Sequence, residues 1–140
     1  MKPNIDRALL NLAMDSHGEQ NWFLDRETGV IFEIPINSDL QNDLKVQELC
    51  DKVDADPARF IEIESISSRS SFKMMEDFIE TLPDKKERRA LEKVITWKKP
   101  FANFRKALDE LPKIQKLWSD FYSARMAELS NKWLEFHNLI

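Results

Sequence analysis

QNWFLDRETGVIFEIP, residues 20–35, is the stretch on which the fold class turns. Two runs rich in aromatic and β-branched residues, QNWFLD and GVIFEI, flank RET, and Gly29 supplies the positive φ that a tight reversal needs. The pattern predicts a β-hairpin. Trp22 and Leu24 are expected to share one face, and Val30, Phe32 and Ile34 to line one face of the returning strand. Pro35 ends the ladder because it has no N–H to donate. A hairpin alone is marginal in water, and RFIEIES, residues 59–65, alternates well enough to add a third strand. These strands make the chain α+β; everything around them reads as helix.

On the amino-terminal side, residues 3–15 place Ile5, Ala8, Leu9 and Leu12 at helical spacing, with Pro3 suited to a first turn where its missing N–H costs nothing. After the hairpin, Ser38 and Gln41 have capping-box spacing, and Leu40, Leu44, Val46, Leu49, Cys50 and Val53 recur helically up to DADP. Pro83, Pro100 and Pro112 then divide the last half into four helices. The first, 68–82, buries Phe72, Met75, Phe78, Ile79 and Leu82; the second, 84–97, opens on Asp84 and Glu87 and presents Leu91, Val94 and Ile95. Phe101, Phe104, Leu108 and Leu111 line the third. The fourth runs from 112 to about 137 with Ile114, Trp118, Phe121, Leu129, Trp133 and Phe136. The expected architecture is a single α+β domain over 1–140, mostly helical: a small antiparallel sheet of hairpin plus third strand in an acidic part, 1–66, and a carboxyl-terminal bundle of about four helices in 67–140.

Composition agrees with one core: at 140 residues, 42% hydrophobic and 33% charged, the chain can collapse, and no apolar run approaches the ~18 residues of a membrane span. MKPNIDRALLNLAMDSHG is interrupted by Asp6 and Arg7 and lacks the apolar core of a secretory signal, so a cytoplasmic protein is expected. The single cysteine, Cys50, cannot close an internal disulfide. The net charge of −4 hides an asymmetry. Residues 1–66 carry 6 basic and 14 acidic groups, whereas residues 84–116 carry 11 basic and 5 acidic, a net +6. Such a split suits nucleic acid, but also halves that neutralise each other within the fold or across a dimer.

Four constellations carry potential chemistry. Glu76 and Glu80, four apart on one helical face with Asp77 beside them, could hold a cation or divide acid and base roles. They flank the apolar stripe, however, Lys73 can pair with Asp77 one turn on, and the only histidines, His17 and His137, form no metal-ligand spacing. SISSRSS, residues 65–71, offers serines and Arg69 at a helix start, which capping explains as well as anion binding does. WKKPFANFRK, residues 97–106, interleaves rings with Lys98, Lys99, Arg105 and Lys106; rings facing inward would leave the cations backbone contacts without base reading. Arg125 falls in the apolar line of Trp118, Phe121, Leu129 and Trp133, so it needs a carboxylate or a ring, with Asp77 or Glu76 as candidates.

FLDRETGVIFEIP (23–35), DPARFIEIESISSR (56–69), FKMMEDFIETLPD (72–84), FANFRKAL (101–108) and the pattern Trp118, Phe121, Arg125, Trp133, Leu134 resemble, in order and spacing over most of residues 20–138, the uncharacterised bacterial protein family 0158. The chain departs from that pattern in having TWKKP where a glycine-containing turn is usual, and Ser70 where an acidic residue usually follows SSR. The second departure weakens the local helix start. The family has no known catalytic residues, so the resemblance transfers no site; it marks the Met75–Asp84 segment and the Arg125 line as the signature.

No phosphate loop, metal spacing or catalytic triad emerges, so the leading expectation is a non-enzymatic interaction module with no cofactor and no metal site, binding an unidentified protein partner or itself. The alternative is nucleic-acid binding through the basic helices, Lys85 to Lys116, with Arg69 as a further contact. A second alternative is a metal-dependent hydrolase using Glu76 and Glu80 with Asp77 and Arg125, which requires those groups to converge in a pocket.

Overall fold

Strand pairing starts at the predicted hairpin. In a computed structural model that describes residues 2–16, 20–36 and 43–140, β1 (Gln20–Asp25) pairs antiparallel with β2 (Ile31–Pro35) on one side and β3 (Phe60–Ile63) on the other, giving the order β2-β1-β3. The helices are α1 (Arg7–Asp15), α2 (Leu44–Ala55), α3 (Ser68–Glu80), α4 (Lys85–Val94), α5 (Pro100–Asp109) and α6 (Pro112–Phe136). The fold is therefore mostly helical α+β with a small antiparallel sheet. The chain forms two compact units, Met1–Ile66 with Ala127–Ile140, and Ser67–Met126.

In the first unit, the register sets Leu24 opposite Ile31 and Ile61, and Trp22 opposite Ile63, on one face of the sheet. Phe23, Phe32 and Phe60 share the other, with Phe23 stacked on Phe32 at 5.9 Å and Phe32 edge-on to Phe60 at 5.9 Å. Helix α1 packs by β3 and α2 by β2, and Lys52 of α2 lies over the Phe60 ring of β3. Because both faces are covered, β2 buries Ile31 as well as Ile34, while Val30, expected to share a strand face with Phe32 and Ile34, lies ahead of the strand and is exposed. Gly29 is held to glycine twice over: its φ is +79°, and a Cβ there would stand 2.4 Å from the Asn4 carbonyl oxygen.

Helix α1 begins later than Pro3 because the Asp6 carboxylate caps it, accepting from Leu9 N–H at 3.1 Å. Leu10, Ala13 and Met14 are buried instead of the expected Ala8 and Leu12, which are exposed, and the Met14 carbonyl accepts from Ile66 N–H at 2.8 Å. The Ser38–Gln41 capping box and Leu40 lie outside the described residues, as does His17; α2 is capped by Asp43. At its far end α6 buries Ser130 and Leu134 and leaves Phe136 81% exposed. It closes in a Schellman motif: Asn138 takes φ +58°, and Leu139 N–H donates to the Leu134 carbonyl at 2.8 Å.

The second unit is built by prolines and caps. Ser67 caps α3, and Asp84 caps α4 by accepting from Lys86 and Glu87 N–H. Pro100 opens α5 after Lys99, whose φ of +56° turns the chain sharply. Met75, Phe78, Ile79, Leu82, Leu91, Ile95, Phe104, Leu108 and Ile114 form one buried cluster, against which Phe72, Leu111, Trp118 and Phe121 pack. Trp118 touches Phe78 at 5.2 Å and Phe104 at 5.0 Å, both edge-on, the geometry in which ring quadrupoles attract. Phe101, expected to be buried in this stripe, is 39% exposed.

Candidate functional site

Arg125 resolves the question its position in an apolar line raises. It lies on α6 within the second unit, its guanidinium 5.0 Å from the Phe121 ring, and Nη1 donates to Asp77 Oδ2 on α3 at 3.0 Å. Asp77 is shared: Lys73 Nζ, one turn earlier, stands 3.0 Å from its other oxygen. Lys73 and then Arg125 hold the Asp77 carboxyl below the usual carboxylate range, and Asp77 in turn raises the Lys73 ammonium. The arrangement is a half-buried brace over the aromatic cluster of Phe78, Trp118 and Phe121. It employs Asp77.

Glu76 and Glu80, the carboxylates proposed as a pair, are both exposed. Among the described residues, no group of three or more histidine, cysteine, aspartate or glutamate side chains is placed to hold a metal ion. Glu76 instead borders an open groove of about 540 Å³ lined by Ser68, Arg69, Phe72, Lys73, Glu76 and Phe101. Phe72 and Phe101 meet edge to face at 6.5 Å and form its apolar floor. The candidate cations Arg69, Lys98, Lys99, Arg105 and Lys106 are all exposed, and so is Trp97, at 52%. Lys98 and Lys99 immediately precede the helix that carries Phe101.

A polar cluster in the first unit carries no signal that sequence spacing exposes. Asp25 at the end of β1 is 4% exposed and receives both Arg59 Nε and Nη2 at 2.8 Å. Its Oδ1 also accepts from Glu27 N–H at 2.9 Å. The Arg59 guanidinium holds its carboxyl well below the usual carboxylate range, overcoming the opposing effect of burial. Next in the turn, Arg26 Nη2 donates to the His137 carbonyl at 2.8 Å, at the end of α6. Burial, and then the Arg26 cation, lower the affinity of the His137 imidazole for a proton; its ring centroid is 4.5 Å from that of Trp133. Only the Asx turn, Asp25 to Glu27, is local enough to be foreseen from DRETG.

The family model described as "Uncharacterised protein family (UPF0158)" matches residues 1–140, and the chain belongs to that family. It is similar to a UPF0158 protein of Pseudomonas aeruginosa, 26% identical over 140 residues that cover 99% of this chain and 87% of the relative. No solved structure matches the chain. Among the described residues, no helix is long and apolar enough to cross a membrane.

Proposed function

We propose that this protein is a non-enzymatic interaction module of the cytoplasm whose second unit docks an acidic segment of a partner protein. The observation that carries the reading is the division of charge between the two compact units. Ser67–Met126 holds 14 basic and 9 acidic residues, net +5, while the rest of the chain holds 7 basic and 16 acidic, net −9. Exposed cations on one unit create a field that steers an acidic partner and fixes its orientation, while exposed rings such as Trp97 and Phe101 supply desolvated contact area.

A test is the affinity of the full chain for a pool of Asp- and Glu-rich peptides, set against the variant Lys98→Glu/Lys99→Glu/Arg105→Glu/Lys106→Glu. The expected result is binding at low salt that weakens about tenfold or more in the variant. Equal affinity in the two proteins rules the reading out.

A second reading, single-stranded nucleic acid, draws on one observation: Trp97 and Phe101 are exposed on either side of Lys98 and Lys99, the interleaving that stacking platforms use. Against it stands the net charge of −4, which repels a polyanion more than it repels a short acidic segment. Oligonucleotide affinity that falls steeply with salt would favour it.

A further inference from the structure

We infer that the groove between α3 and α5 is an anchor site: it takes an aromatic or large aliphatic side chain of the docked acidic segment, with a neighbouring carboxylate of that segment on Arg69. This rests on the acidic-docking reading and adds where and how the segment is held. The groove is open to solvent, with a volume of about 540 Å³, and its floor is the Phe72–Phe101 pair. Phe72 is packed against the buried cluster, so that half of the floor is held in place before an occupant arrives. Phe101 keeps 39% of its surface exposed, which an inserted apolar side chain would remove from water.

The rim is polarised. Ser68 and Arg69 lie in the first turn of α3, where the helix dipole adds to the positive charge, and Glu76 lies two turns further on. Lys73 between them is already paired with Asp77. A carboxylate of the occupant is therefore attracted at the Arg69 end and repelled at the Glu76 end, which fixes the direction in which the segment lies. Lys98 and Lys99, next to Phe101 in the chain, extend the attraction beyond the groove. A nucleic-acid strand fits this rim less well: Glu76 opposes a continuous row of phosphates, and the edge-to-face Phe72–Phe101 pair offers no run of free ring faces for successive bases.

The experiment is fluorescence polarisation with the full chain and four labelled probes: an acidic peptide of about 12 residues with one central Trp, the same peptide with Ala there, a neutral peptide with the Trp, and a thymidine oligonucleotide of equal length. The expected result is that the acidic Trp peptide binds about tenfold or more tightly than its Ala counterpart. Phe101→Ala, at a half-exposed position that spares the core, should erase that ratio, and Arg69→Glu should weaken both acidic peptides. Acidic peptides that bind equally with Trp or Ala would overturn the anchor site and leave the docking reading standing. Binding of the oligonucleotide alone, or of no probe, would overturn both.

Discussion

Asp25 is, among the described residues, the charged side chain that is buried, and its stability contribution has a definite pH signature. Its folded carboxyl ionises well below the ~3.9 of an unfolded aspartate, because Arg59 and the turn N–H groups favour the charged form. A depressed carboxylate stabilises fully above the unfolded value and loses that stabilisation as pH falls through the folded one. Asp25→Asn should therefore cost about 2 kcal/mol at neutral pH, by urea unfolding, and the gap to the parent chain should narrow below about pH 4. A gap that is constant with pH would show that the charge of Asp25 is not what stabilises the turn. Asp77 is more accessible and should be worth less: in a double-mutant cycle of Asp77→Asn and Arg125→Met, a coupling of about 0.5–1 kcal/mol is expected, in the range of partly solvated pairs. No coupling would mean that Arg125 is held by the Phe121 ring alone.

At the scale of elements, the hairpin is the piece that cannot be altered silently. Gly29→Ala meets both a left-handed backbone and the Asn4 carbonyl, so a loss of about 2 kcal/mol or more is expected in denaturant unfolding. A neutral outcome would mean that residues 3–4 do not pack on the turn. The hairpin, the proline boundaries at 83, 100 and 112, and the Asp84 cap were legible because each depends on chemistry within a few residues: alternation, a missing N–H, a carboxylate beside free N–H groups. The buried face of α1 was not, because RALLNLAMD offers two apolar stripes and only the tertiary partners choose Leu10, Ala13 and Met14 over Ala8 and Leu12. Arg125 was legible as a residue needing a partner, since it interrupts an apolar line. The Asp25–Arg59 pair was not, because its members are 34 residues apart and neither stands out in its own segment. Phe101 departs from its expected burial for a related reason: helical spacing assigns a residue to a face, but how far that face is covered depends on neighbours that spacing does not contain.

For the whole molecule, the dominant feature is that charge of opposite sign is sorted into the two compact units, +5 and −9, while the net value of −4 conceals it. A binding surface built this way draws its partner by long-range attraction and holds it by a few desolvated contacts, so its affinity should depend on ionic strength more than that of an apolar interface does. The most direct test is the dissociation constant of the full chain for the Trp-bearing acidic peptide as salt is raised from ~0.05 M to ~0.5 M, where the Debye length shrinks from over 10 Å to a few ångströms. Saturable binding is expected at the low end, with about a tenfold or greater loss across the series. Absence of binding at low salt, or an affinity indifferent to salt, would show that charge does not draw an acidic partner to this unit.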